Sequence, residues 1–130
     1  MSLLWPPVSY YYYCSLYLVN ATSGYLTLNS SSNADDTLFL SDSSYSLAPG
    51  ASQLIVLNAG RSGWATYNIT MNAVLKLTWT EQLNGQFTCA SDPSGSTQFS
   101  ATGCNDPVYT NNGLSYYTTF TITLAPVSTS

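Results

Sequence analysis

A chain of 130 residues with two cations, Arg61 and Lys76, six carboxylates and no histidine has the length of one domain but little charge. Charged residues make up 6%, against about 25% in an ordinary soluble domain, and two cations cannot neutralise the phosphates of a nucleic acid or an anionic membrane. Nucleic acid is thereby excluded as a partner, and the missing imidazole removes the Ser-His-Asp triad, the Cys-His pair and the commonest zinc ligand.

Polarity comes instead from Ser, Thr, Asn and eleven tyrosines, groups that keep one ionisation state from acid to neutral pH. Such a surface suits an exterior, acidic setting, where only the few carboxylates titrate. No segment approaches the about 18 uninterrupted apolar residues of a spanning helix, so no direct membrane span is expected. No Lys or Arg precedes the first acid, Asp35, so the start lacks the basic region of a secretion signal. With Met1 present, the chain is expected to reach the exterior without a signal of its own, as a virion protein does.

In chain order, Met1–Pro7 reads as an extended apolar arm, because Pro6-Pro7 forbids a helix or a central strand. Leu3, Leu4 and Trp5 would be a liability if displayed, so the arm is expected to pack, on its own domain or on a neighbour. Val8–Val19 follows as a long strand. Period-2 alternation places Tyr10, Tyr12, Cys14, Leu16 and Leu18 on the inner face, and Tyr11, Tyr13, Ser15 and Tyr17 on the other. The Tyr10/Tyr12 face is expected to form an aromatic ladder, and Tyr11 and Tyr13 to contact a subunit or a glycan. Asn20–Gly24 is a predicted turn, Tyr25–Leu28 a short strand, Asn29–Asp36 a polar loop and Thr37–Ser41 another strand.

Pro49-Gly50 suits the central positions of a tight turn. It leads into Gln53–Asn58, where Leu54-Ile-Val-Leu57 has the profile of a strand buried on both faces and central to the fold. Ala65–Met71 and Val74–Glu81 read as a hairpin around Asn72-Ala73. Asn84-Gly85 signals a type I′ turn returning Gln86–Ala90 against Trp79, and Ser91–Gly95 a further turn. Leu114–Leu124 alternates most cleanly, with Leu114, Tyr116, Thr118, Phe120, Ile122 and Leu124 on one face.

No stretch carries helical periodicity with a cap. Eight or nine antiparallel strands with Gly, Pro and Asn turns predict a single all-β sandwich, jelly-roll or immunoglobulin-like, over residues 8–125, with a short tail at 126–130. The Leu47-x-Pro49-Gly50-x-Ser52 lead-in to an apolar strand, about a dozen residues in all, resembles that of immunoglobulin-like surface domains of archaea, bacteria and their viruses. The resemblance implies a sandwich and exterior life, on virions of thermophiles or on extracellular filaments, and carries over no functional residue.

Cys89 and Cys104 bracket a turn-containing segment and are expected to bond, leaving Cys14 buried as a small apolar residue; the alternative is two buried thiols. Asn20, Asn29 and Asn68 head glycosylation sequons. Asn20 and Asn29 fall in predicted loops, and Asn68 in a strand, where a glycan requires a solvent-facing side chain. Asp35, Asp36 and Asp42 with Asn33 lack the calcium-loop register and read as a solvated loop. Glu81 with Asp92 or Asp106 is the one carboxylate pairing to weigh for glycoside hydrolysis, and nothing in the spacing demands it. No catalytic residue, metal or cofactor is therefore expected.

These readings predict a non-enzymatic structural subunit of an extracellular assembly, with virion surface roles foremost. Its partners are then copies of itself and other structural proteins of the same assembly, with glycans as further candidates. A donor-strand filament subunit is one alternative. The other is a carbohydrate-binding module using Tyr11, Tyr13, Trp5 or Trp64.

Overall fold

The computed structural model describes residues 11–32 and 45–127. They form ten strands and no helix: β1 Tyr11–Asn20, β2 Leu26–Ser31, β3 Ser46–Leu47, β4 Ser52–Ala59, β5 Gly63–Asn68, β6 Val74–Glu81, β7 Phe87–Ser94, β8 Phe99–Thr102, β9 Val108–Asn112 and β10 Ser115–Pro126. One sheet orders β4-β1-β10-β8 with β9 also on β10, and the other β3-β2-β5-β6-β7. The two pack as the predicted β-sandwich. The strands number ten rather than eight or nine, and one pairing, β1 on β10, is parallel rather than antiparallel. The arm with Leu3, Leu4 and Trp5, the strand expected at Thr37–Ser41 and the Asp35, Asp36, Asp42 and Asn33 group lie outside the described residues.

The parallel pair forms the middle of the first sheet. Cys14, Leu16 and Leu18 of β1 lie opposite Thr118, Phe120 and Ile122 of β10, and all six are buried. They face Leu26, Ala65, Tyr67, Leu75, Leu77 and Trp79 of the second sheet, each fully enclosed. Alternation thus places the core on both sheets as predicted, except that Leu114 is half exposed in the turn before β10.

Pro49-Gly50 forms the expected turn. Gly50 takes φ 78°, and the Ala51 N–H donates to the Ala48 carbonyl at 3.0 Å, as a proline-glycine turn requires. The strand it introduces is not central. Among the described residues β4 pairs only with β1, at the end of its sheet. Its apolar run has another cause. The pairing slips between Cys14 and Leu16 and again between Leu16 and Tyr17, so two bulges interrupt the alternation. Ile55 and Val56 are both buried, while Leu54 and Leu57 stay partly exposed.

Two turns also depart from expectation. The β6–β7 hairpin closes through Gln82 N–H to the Gln86 carbonyl and Gly85 N–H to the Gln82 carbonyl, both at 2.8 Å. Of the loop residues only Gly85 has positive φ, 89°. This is a three-residue loop with glycine in the left-handed position, not a type I′ turn, which needs positive φ at Asn84 as well. The Asn84 Oδ1 accepts from the Gln86 N–H at 3.0 Å, which fixes the alternative. Ser91–Gly95 is strand as far as Ser94, with Pro93 opposite Leu75. As the edge of its sheet, β7 tolerates a residue without an N–H.

Candidate functional site

Among the described residues the charged groups are few and spread apart. Among the described residues no three His, Cys, Asp or Glu gather as metal ligands. Glu81 lies opposite Phe87 and Asp92 opposite Lys76, five residues apart along the ladder. At about 3.4 Å per residue that separation exceeds the about 5–10 Å of a glycosidase pair. Asp92 and Asp106 instead border one depression beside the Cys89–Cys104 bridge.

That bridge is present as expected, with Cα atoms 5.2 Å apart. It joins β7, the edge of one sheet, to the turn after β8 of the other, and so staples the sandwich along one side. Cys14 is free and buried. Burial pushes its thiol up to about 12.

The sequons separate by structure. Asn20 ends β1 rather than lying in a loop, and its side chain is fully buried. Its Nδ2 donates to the Gly24 carbonyl at 2.7 Å and the Leu47 carbonyl at 2.9 Å. Its Oδ1 accepts from the Thr22 N–H at 3.0 Å and the Thr22 hydroxyl at 2.6 Å. A glycan on that nitrogen would break this lock, so the folded domain has no room for one. Asn29 lies within β2 rather than a loop, and Asn68 ends β5; both are exposed.

The strongest constellation is aromatic. Parallel pairing sets Tyr12 against Tyr116 and Tyr13 against Tyr117. The rings stack at 5.2 Å and 17°, and at 5.5 Å and 23°, one pair on each side of the sheet. The ladder expected of Tyr12 is therefore real, and Tyr13 forms a second one. Tyr11 is 56% exposed. Trp64 stands on β5, in the other sheet, with the Lys76 ammonium 5.8 Å from its ring centre. Trp64 and the tyrosines are thus not brought together as one platform.

The outer side of the β1–β10 sheet has a property the residue-by-residue reading missed. None of its five strands carries Asp, Glu, Lys or Arg; the described charges sit on β6, β7 and two loops. Its outward residues include Tyr13, Tyr17, Leu54, Leu57, Tyr117 and Thr119, several of which enclose a trough of about 320 Å³. Two further depressions flank Tyr12 at the end where β1 begins. One, of about 450 Å³, lies between Tyr11–Tyr13 and the Leu83-Asn84-Gly85 loop. The other, of about 220 Å³, is lined by Tyr12, Gln86, Tyr109, Asn111, Tyr116 and Tyr117 among others. Six of the eleven tyrosines line these two depressions. A sequence signal for the grouping exists: Tyr12-Tyr13-Cys-Ser-Leu-Tyr-Leu18 and Tyr116-Tyr117-Thr-Thr-Phe-Thr-Ile122 share one pattern and lie in register.

Among the described residues no helix is long and apolar enough to cross a membrane. A scan against protein-family models finds no match to this chain, and a search among curated proteins finds none either.

Proposed function

We propose that this protein is a non-enzymatic structural subunit of an extracellular assembly, a virion surface component, joined to its neighbours through the outer face of the β1–β10 sheet. The observation that carries the reading is that face's composition: five strands without one charged side chain, rich in tyrosine, with Leu54 and Leu57 partly exposed. Interface cores are depleted in charge and enriched in tyrosine, whereas free surfaces rely on charge for solubility. The disulfide supports life outside a reducing compartment.

A donor-strand filament fits less well. Tyr11–Asn20 pair with β10 on one side, and Cys14–Val19 pair with β4 on the other. Cys14–Val19 therefore has no free edge to complete a neighbour's sheet.

Light scattering on the full chain and two variants tests the reading. Tyr17→Lys places a charge on the uncharged face, and Thr66→Lys places one on the outer side of the other sheet. The expected result is that Tyr17→Lys stays dispersed with an unchanged circular dichroism spectrum, while Thr66→Lys assembles like the parent. Equal assembly by all three proteins would refute the assignment of this face.

A further inference from the structure

We infer that the tyrosine-lined cleft at the start of β1 receives the Leu3–Pro7 arm of a second copy of the chain. The inference rests on the assembly reading above and names the contact through which one subunit would hold the next.

The cleft has the right chemistry for such a segment. Its walls are Tyr11, Tyr12 and Tyr13 on one side and Leu83, Asn84 and Gly85 on the other, with Gly60 and Glu81 completing it. Leu83 is a fully exposed apolar side chain at the hairpin tip. Gly85 lies directly beneath the Tyr12 ring, so a Cβ there would collide with it. Aromatic-lined grooves of this kind accept proline-rich extended segments, whose backbone is pre-ordered and makes no internal hydrogen bonds. The carbonyls of such a segment need donors. The tyrosine hydroxyls and the Asn84 Nδ2 supply them, since Asn84 engages only its Oδ1 in the loop.

The arm has the matching chemistry. Leu3-Leu4-Trp5-Pro6-Pro7 carries no charge, and Pro6-Pro7 sets the extended backbone such grooves select. Trp5 is the residue type that most often anchors an interface.

The occupant comes from a neighbour because of where the arm is tied. It joins the domain at Tyr11, itself a wall of the cleft, through Val8, Ser9 and Tyr10, which reach about 11 Å at most when extended. To lie along Tyr11–Tyr13 of its own domain the chain has to reverse within those three residues. Of the turn-forming residue types they contain only Ser9, with no Gly, Asn or Asp for a tight reversal. Entry from a second molecule needs no reversal.

Photo-cross-linking of the full chain decides the matter. Trp5 is replaced by the photoreactive residue p-benzoylphenylalanine, and isotopically heavy and light chains are mixed before irradiation. The expected products join position 5 of one isotopic form to residues 11–13 or 81–85 of the other. Leu83→Asp should lower their yield about tenfold, as loss of an anchoring contact does, with an unchanged circular dichroism spectrum. Products confined to one isotopic form would place the arm on its own domain and overturn the inference. Products on Tyr17, Leu54 or Tyr117 would overturn the cleft while leaving assembly through the uncharged face intact. A chain that stays monomeric by light scattering and yields no cross-link would overturn both.

Discussion

Asn20 illustrates how one side chain can hold three segments. Its amide ties the end of β1 to the turn at Gly24 and to β3 at Leu47, all without exposure to water. Replacement by Ala takes this partner from the buried Leu47 carbonyl and from the buried Thr22 N–H, each loss costing about 1–3 kcal/mol. Asn20→Ala should therefore lower stability by about 2–4 kcal/mol in denaturant unfolding, and peptide mapping should find Asn20 unglycosylated in folded protein. Cys14 gives a second test at this scale. Its thiol pKa is raised by burial to about 12, above the about 8.5 of an unfolded chain. Between those values the folded state holds the proton that the unfolded state has lost, so stability falls as pH rises from about 9 towards 12. Burial raises the Tyr67 phenol in the same direction, with Tyr45 adding to it. Alkaline melts should show that decline, and a Cys14→Ala variant should show less of it. Below pH 8 the native thiol should resist iodoacetamide, reacting only through unfolding.

At the scale of elements, the bridge and the hairpin loops carry the argument. Reducing Cys89–Cys104 releases a loop of 15 residues, worth about 3 kcal/mol on chain-entropy grounds. The reduced domain should unfold at correspondingly lower denaturant, because the cross-link between the two sheets is lost. Non-reducing peptide maps should show this single link. Gly85→Ala tests the β6–β7 loop: it forces an L-residue to φ 89° and drives a methyl into Tyr12. A loss of about 1–3 kcal/mol is expected.

Much of this layer was legible beforehand. The faces of β1 and β10, the Pro49-Gly50 turn and the β5–β6 hairpin all follow from alternation and turn residues. What misled was local similarity between different causes. Leu54–Leu57 looks like a strand covered on both sides, but bulges opposite Ser15 and Tyr17 produce the same run at a sheet end. Asn84-Gly85 reads as one turn type until the Asn84 side chain chooses another. Strand β9 escaped notice because all five of its residues are exposed, so it has no alternation to read.

At the scale of the molecule, the distribution of charge distinguishes the two sheets. Composition alone reveals the scarcity of charge, but the confinement of the described charges to one sheet and the loops depends on which strands become neighbours. Parallel pairing of the first and last long strands is a non-local fact, and it is what stacks Tyr12 on Tyr116 and Tyr13 on Tyr117. Assembly through this face should persist at high ionic strength, since its five strands carry no charge to screen. Light scattering across a salt series should show constant particle mass.

Oxidative footprinting of assembled and dispersed protein measures the central claim most directly, because it reads both outer faces in one experiment. The account predicts that labelling of Tyr17 and Tyr117 falls several-fold on assembly, while Tyr25 and Trp64, exposed on the other sheet's side, label equally in both states. Protection of Trp64 and Tyr25 with Tyr17 and Tyr117 still labelled would contradict it.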